Sequence, residues 1–240
     1  MIDYRRRSYK KELLDAADIP FDDIRLNMKE LNFVNTFLGG HQITIAGFKK
    51  LAAGKKNISV CEIGCGGGDN LSAIYSWARK NDLRLSCTGI DINPNCIAYA
   101  KSISTVPGGI FVTADYQDHE FGNARPDIIF SSLFCHHFSD EELVIMMKWM
   151  RDNSELGFFI NDLHRHPVAY YFIKWATRIF SKSYLVKNDA PLSVLRGFKK
   201  KEWNNILAKS GIKNYLIRWK WAFRYLIIVR DHPISHFQGE

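Results

Sequence analysis

Four glycines and two acidic residues fall within ten positions of the chain, in the stretch CEIGCGGGDN (residues 61–70). Glu62 is followed by glycine at every second position, at Gly64, Gly66 and Gly68. A glycine run costs conformational entropy, so folded chains keep one where the backbone must bend sharply or approach another group closely. The stretch therefore predicts a loop whose backbone comes close to a ligand.

The spacing within this loop argues against a phosphate ligand. A dinucleotide fingerprint, G-x-G-x-x-G/A, would have Asp69 at its last position when counted from Gly64. A P-loop would end in Gly-Lys-Ser/Thr, which this stretch lacks. Because a carboxylate aimed at a pyrophosphate is unfavourable, we expect a ligand that tolerates acids, such as one that carries positive charge.

Two more acids end the next two predicted strands. Asp91 closes the segment TGID, 29 positions after Glu62, and Asp115 closes VTAD. A carboxylate at the first position can accept both hydroxyls of a ribose, and one at the second can face an adenine amino group. Either acid alone could be a solvated strand end, but three acids at three successive strand ends favour one shared site.

Three histidines are candidates for proton transfer. His136 and His137 follow the fourth predicted strand, and His164 follows the fifth. Histidine suits proton removal near neutral pH. The alternatives are that the pair shapes a pocket or caps the next helix, or that it binds a metal together with Asp162. Asp162 could instead pair with Arg165.

The cysteines and the apolar runs indicate the cellular compartment of the protein. Five cysteines are an odd number scattered over predicted strands and helices, which is typical of reduced thiols in a cytosolic protein. Cys61 and Cys65 lack a second pair at zinc spacing, so no metal is expected there. The first thirty residues contain no signal-peptide core, and no segment approaches the roughly 20 apolar residues of a membrane span. We therefore expect a cytoplasmic protein.

The order of the predicted elements indicates the fold. Short apolar strands alternate with helices of ten or more residues, a pattern typical of βαβ units. Near the end, IKNYLIRWKWAFRYLIIVRD reads as two strands too close together for a helix between them. We predict an α/β fold: a Rossmann-like, seven-stranded, mostly parallel sheet with helices on both faces and a C-terminal antiparallel hairpin.

Two segments lie outside this alternation. Residues 1–53 are predicted to form an N-terminal helical cap, and residues 54–240 the main domain. Within that domain, residues 163–210 are predicted to insert a helical lid, rich in aromatic residues, near the strand ends where ligands bind.

The loop and its acids resemble the class I S-adenosylmethionine (SAM)-dependent methyltransferases over residues 57–162 and the closing hairpin. Their first motif, an acid followed by G-x-G-x-G, matches Glu62 and the alternate glycines. The resemblance implies that the loop passes under the methionine part of SAM, that Asp91 holds the ribose, that Ile92 packs on the adenine and that Asp115 meets its amino group. The residues it predicts to bind the cofactor are Glu62, Gly64, Cys65, Gly66, Gly68, Asp91, Ile92, Asp115, Tyr116 and Ser131.

A narrower resemblance is to the quinone-biosynthesis-type small-molecule methyltransferases, in the segments FSSLFCHHFSDEEL and FINDLHRHPVAYYFI. It implies methyl transfer to a small, largely apolar acceptor such as a phenol, a quinol or a polyketide- or lipid-like molecule. Two alternatives stay open: an RNA methyltransferase and a non-catalytic cofactor-binding protein. Against nucleic acid, the chain lacks the Asn/Asp-Pro-Pro-aromatic motif and a Pro-Cys pair after strand four, and contains no recognised RNA-binding module.

The charge of the chain is concentrated in one segment. The net charge is +8, and the stretch from Arg165 to Lys220 holds thirteen Lys or Arg residues and two acids. Lys174, Arg178 and Lys182 are spaced by four, which predicts one basic helix face. We expect residues 165–187 to form a mobile helical cover that contacts an anionic membrane weakly, the alternative being a solvated basic surface. The sequence does not predict an oligomeric state.

Overall fold

A computed structural model describes residues 2–16, 18–122 and 124–230; the last ten residues of the predicted main domain, 231–240, lie outside the described residues. The strands are β1 (Asn57–Ile63), β2 (Arg84–Asp91), β3 (Ile110–Thr113), β4 (Ile128–Ser132), β5 (Gly157–Leu163), β6 (Tyr215–Lys220) and β7 (Arg224–Arg230). The helices are α1 (Phe21–Phe37), α2 (Gly40–Ala52), α3 (Asp69–Lys80), α4 (Pro94–Ile103), α5 (Asp140–Asn153), α6 (Pro167–Phe180), α7 (Tyr184–Arg196) and α8 (Lys200–Lys209), with short 3-10 helices at Leu13–Asp15, Tyr116–Asp118 and Cys135–His137.

All seven strands belong to one sheet, in the order β3-β2-β1-β4-β5-β7-β6. Strands β1 to β5 are parallel, whereas β7 runs antiparallel to both β5 and β6. The predicted mostly parallel sheet and its C-terminal hairpin are therefore confirmed. Strand β1 lies between β2 and β4, so the strand order reverses there. In such sheets a crevice opens at the carboxyl ends of the strands at this point.

Helices cover both faces of the sheet, as predicted. One apolar core joins the sheet to α5 and α8 through side chains such as Leu143, Met147 and Trp203. The other joins it to α2, α3 and α4 through Phe48 and Leu71, among others. Because both faces are covered, the central strands are buried almost throughout, which explains their unbroken apolar runs.

In the N-terminal segment and in the predicted insertion alike, one part packs in the helical layer of the sheet and another part packs elsewhere. Helix α2 packs on β5 and β7 in the helical layer of the sheet, whereas α1 packs beside α4 and α7. Helices α6 and α7 pack on each other, whereas α8 packs on α5 in the helical layer. Among the described residues, the helices are too short or too polar to cross a membrane.

Helix α6 has well-marked ends. Pro167 occupies its first turn, where a missing N–H costs nothing, and the His166 side chain accepts a hydrogen bond from the backbone N–H of Val168 at 3.2 Å. The helix ends at Phe180, so Lys182 follows it and does not extend the predicted basic face. Most of the exposed side chains of α6 are aromatic or aliphatic.

Candidate functional site

A cavity of about 740 Å³ opens at the carboxyl ends of β1 and β2. The glycine loop after β1 forms its floor, and α1, α6 and α7 contribute its other walls. Many of its apolar lining residues come from these helices: Met28, Leu31, Val34, Ala169, Phe172, Ile173, Val186 and Val194. The cavity thus has one side of bare backbone and acids and another of apolar side chains.

The glycine loop adopts a conformation that side chains would prevent. Gly64 has φ 65° and Gly66 φ 50°, both in the left-handed region. A Cβ at Gly64 would also collide with the ring of Phe134. The backbone N–H of Gly66 donates to Asp91 Oδ2 at 2.8 Å, which fixes the loop against the end of β2. Gly64, Cys65 and Gly66 line the cavity; their binding of the cofactor stays a prediction.

Asp91 and Ile92 stand side by side at the end of β2, in the cavity wall. Asp91 Oδ1 accepts the backbone N–H of Asn93 at 2.9 Å, and burial raises the pKa of its carboxyl. Ile92 is 69% exposed and presents an apolar side chain to the cavity. An acceptor carboxylate beside an apolar side chain suits a nucleoside, whose ribose is polar and whose base is flat.

Glu62 lies behind the loop, outside the cavity lining. Its side chain is fully buried, and its Oε1 accepts a hydrogen bond from Asn70 Nδ2 at 3.0 Å. Among the described residues Oε2 has no hydrogen-bond partner. Burial, together with the nearby charge of Asp69, holds the pKa of Glu62 well above its usual value. Gly68, which precedes α3 with φ 73°, also lies outside the lining.

Three further residues predicted to bind the cofactor lie away from the cavity wall. Asp115 Oδ1 accepts the backbone N–H of Gln117 at 3.0 Å and so caps a 3-10 helix. Tyr116 packs edge-on against Phe134, Phe138 and Trp149. Ser131 is fully buried, with its Oγ 3.3 Å from Cys135 Sγ.

His136 lies in the cavity wall, buried between two carboxylates. Its Nδ1 is 2.9 Å from Asp162 Oδ1, and its Nε2 is 3.5 Å from Glu12 Oε1. Burial disfavours the charged ring, but Asp162 and Glu12 outweigh this and raise the pKa of His136 to about 9. Asp162 therefore pairs with His136, whereas Arg165 pairs with Glu202 at 2.6 Å.

His137 follows in the same wall and reaches the same acid. Its Nδ1 is 3.1 Å from Asp15 Oδ1, and its Nε2 is 3.8 Å from Glu12 Oε2. Arg196 donates to the backbone carbonyls of both histidines, at 3.0 Å and 2.9 Å. Nothing in the local sequence around Glu12, Asp15 and Arg196 marks contacts more than 55 positions away, so these residues were not predicted.

His164 is not brought to the cavity lining. Its Nδ1 accepts a hydrogen bond from Trp219 Nε1 at 3.2 Å, and its ring packs near Phe223 and Tyr225. Burial, together with nearby His166 and Arg165, lowers the pKa of His164 to about 4. The ring is therefore neutral at physiological pH and has its acceptor nitrogen occupied.

Arg224, at the start of β7, places a buried cation in the cavity wall. Its Nη2 donates to Asn35 Oδ1 at 2.8 Å, but its Nη1 has no hydrogen-bond partner among the described residues. Burial lowers the pKa of Arg224 to about 10, so the group stays charged at neutral pH. A buried guanidinium with an unsatisfied donor is suited to a ligand carboxylate.

Comparison with known proteins finds one family model that matches part of the chain. Residues 60–153 match the family model described as a methyltransferase domain. None of the curated proteins matches the chain significantly in sequence.

Solved structures share the fold at low sequence identity. Human N-acetylserotonin methyltransferase, solved with SAM, is 14% identical with a TM-score of 0.62; the alignment covers 88% of this chain but only 56% of that one. The plantazolicin methyltransferase BpumL, solved with SAH, is 15% identical with a TM-score of 0.61, covering 88% and 89%. Magnesium protoporphyrin IX methyltransferase of Synechocystis, solved with SAM, is 14% identical with a TM-score of 0.51, covering 80% of each chain. Residues 60–153 thus carry a methyltransferase domain, and the strand order and the glycine loop agree with that match.

Proposed function

We propose that this chain transfers a methyl group from SAM to a small, largely apolar acceptor, such as a phenol, a quinol or a polyketide- or lipid-like molecule. The observation that carries the proposal is the two-sided cavity. Its floor combines the glycine loop with Asp91, and its opposite walls are apolar side chains of α1, α6 and α7.

The residues of the floor fit SAM better than a phosphate-bearing nucleotide. SAM carries a sulfonium and an ammonium, which Asp69 and Asp91 favour, and a carboxylate, for which the unsatisfied Nη1 of Arg224 is a suitable donor. Bound there, SAM would supply a methyl carbon activated by the sulfonium for in-line displacement.

The chain's own contribution is to bind, align and exclude water. Methyl transfer needs the acceptor atom held in line with the methyl group, and alignment of this kind can supply much of the rate. Of the three candidate histidines, only His136 and His137 face the cavity, and both hold carboxylates through Nδ1. We therefore assign these two to the acceptor side of the site, and His164 to packing beneath β6 and β7.

The names of the structural neighbours support a small acceptor. They name N-acetylserotonin, plantazolicin and magnesium protoporphyrin IX, none of which is a nucleic acid. Together with the apolar walls, this favours small-molecule methylation over RNA methylation, although the basic charge of the chain would suit either.

The test is a transfer assay with methyl-labelled SAM in cell extracts, separated afterwards into lipid-soluble, RNA and protein fractions. We expect label in the lipid-soluble fraction from the wild type, strongly reduced label from Asp91→Asn, and wild-type label from Asp118→Asn, a matched change at an exposed acid. Label in RNA alone would reject the acceptor class. Titration calorimetry with SAM and with NAD tests the cofactor, and tight binding of NAD alone would reject it.

A further inference from the structure

Glu12, His136 and His137 form a compact cluster in the cavity wall, here called the His–Glu cluster. One potential ligand atom from each lies within 4.8 Å of the others. The side chains of Glu12 and His136 are each only 4% exposed, and that of His137 is 22% exposed. The cluster is thus largely shielded from solvent and opens towards the cavity, which all three residues line.

The two imidazole rings are oriented in the manner of metal ligands. Asp162 holds Nδ1 of His136 at 2.9 Å, and Asp15 holds Nδ1 of His137 at 3.1 Å. Both Nε2 atoms are thereby directed to the same carboxylate, that of Glu12. Metal-binding histidines commonly bond a carboxylate through their other nitrogen, which fixes the tautomer and the ring orientation.

The distances within the cluster suit a shared ion better than direct hydrogen bonds. The two Nε2 atoms lie 3.5 Å and 3.8 Å from the Glu12 oxygens. A charge-assisted N–H···O bond is about 2.7–2.9 Å long. Two ligands that each lie about 2.0–2.1 Å from a tetrahedral zinc ion are about 3.3 Å apart. Contraction of the cluster, whose ligand atoms lie within 4.8 Å of one another, towards this spacing would complete a metal site.

The surroundings of the cluster hold Glu12 in place and carry negative charge. Asp189 accepts the backbone N–H groups of Leu13 and Leu14 at 2.8 Å and 3.0 Å, which fixes the segment that carries Glu12. Glu12, Asp15 and Asp162 contribute three carboxylates. The cation of Arg196, 3.3 Å from Asp15 and 4.0 Å from Glu12, offsets one of them. With both histidines neutral, as metal binding requires, a divalent cation would neutralise the remainder.

We propose that Glu12, His136 and His137 bind a divalent transition-metal ion of the zinc type, with an open coordination position that faces the cavity. Two histidines and one glutamate with an open position are a common ligand set of catalytic zinc. The ligand site stands independently of the methyl acceptor.

Its use rests on the proposed function. A hydroxyl of the acceptor that coordinates the ion would lose its proton to water more readily, because a bound cation stabilises the oxyanion. That oxygen would then form its bond to the methyl carbon as the carbon–sulfur bond of the sulfonium breaks, leaving S-adenosylhomocysteine.

The site is tested by titrating chelator-treated full-length protein with Co²⁺, followed by visible absorption, and then displacing the Co²⁺ with Zn²⁺. We expect one equivalent to bind the wild type. Asp15→Asn, which removes an outer partner, should weaken binding about 10–100-fold. Glu12→Gln and His137→Gln, which remove ligands, should weaken it at least as much.

Asp18→Asn and His166→Asn are the matched controls, an exposed acid of the same segment and a histidine whose capping role asparagine can replace. Both should bind like the wild type. The two histidines within residues 231–240 are present in every variant, so binding to that segment would survive all substitutions.

Failure of the wild type to bind one equivalent of either ion, or equal binding by all variants, would overturn the proposal, whatever the stability of the variants. SAM affinity measured on the same samples separates the two proposals. Metal binding without SAM binding leaves the metal site standing and rejects the proposed function. SAM binding without metal binding rejects the metal site and leaves the proposed function standing.

Discussion

Asp91 combines a structural contact with a place in the cavity wall. Its carboxylate holds the backbone N–H groups of Gly66 and Asn93, and it faces the space where a ribose would bind. Substitution should therefore both loosen the glycine loop and leave ligand hydroxyls without an acceptor. We predict that Asp91→Ala weakens SAM binding by about 1–3 kcal/mol, measured by titration calorimetry. An unchanged affinity would remove Asp91 from the site.

The unsatisfied donor of Arg224 allows a sharper prediction about SAM binding. If Nη1 binds the carboxylate of SAM, Arg224→Met should weaken SAM binding by about 1.5–3 kcal/mol, the range for hydrogen bonds to charged groups. Methylthioadenosine lacks that carboxylate, so its affinity should stay unchanged in the same variant. Fluorescence or calorimetric titration of both ligands provides the comparison. Equal losses for the two ligands would mean that Arg224 supports the cavity wall and does not contact the carboxylate.

Helix α6 separates the cavity from an exposed apolar surface. Val168, Tyr171, Phe172, Trp175, Ile179 and Phe180 form this surface, at helical spacing. Trp175 is 60% exposed and Phe180 80% exposed, and Phe172 also lines the cavity. Aromatic residues beside Lys174 and Arg178 are typical of helices that lie in a membrane interface. A lipophilic acceptor could then enter next to the surface that contacts the lipid.

We predict that the protein sediments with anionic liposomes at low salt and less at high salt. Each basic residue near such a surface contributes about 1 kcal/mol within a Debye length of about 10 Å. The triple variant Lys174→Glu, Arg178→Glu, Lys182→Glu should lose this binding. A control with the same change in net charge, Arg79→Glu, Lys80→Glu, Lys101→Glu on α3 and α4, should keep more of it. If neither wild type nor control binds anionic liposomes, the surface of α6 is solvated or covers another protein.

At the scale of the whole molecule, Glu62 is an ionisable group buried at the junction of β1, the glycine loop and α3. Because its pKa is raised in the folded state, the folded chain holds a proton that the unfolded chain releases above its ordinary pKa of about 4.5. Glu62 therefore contributes stability that is present below that pH and is lost as the pH rises towards the folded-state pKa.

Glu62→Gln removes this dependence while keeping the shape of the side chain. We predict that the variant gains stability relative to the wild type between about pH 5 and pH 8, since the other groups titrate alike in both proteins. Urea denaturation of both proteins at several pH values measures the difference. A constant difference across this range would show that Glu62 does not change its protonation on folding.

The sequence by itself determined what depends on local pattern. Apolar strands of four to eight residues, helical periodicity and the short link before β7 are enough to predict a parallel sheet with a terminal hairpin. The alternate glycines predicted the loop, and the structure supplies the reason at Gly64, where a Cβ would collide with the ring of Phe134. Asp91 was predicted to lie at the ligand site because, in such a sheet, ligands bind at the carboxyl ends of the strands.

Tertiary structure decided which distant residues meet. Glu12 reaches His136 across 124 positions, and Arg224 reaches Asn35 across 189. It also decided that Glu62 supports the loop from behind and that His164 packs against the hairpin. No local pattern carries such information, because the partners of a buried charge depend on which strands and helices pack against each other. Burial then fixes how strongly those charges interact, since their field is no longer screened by water.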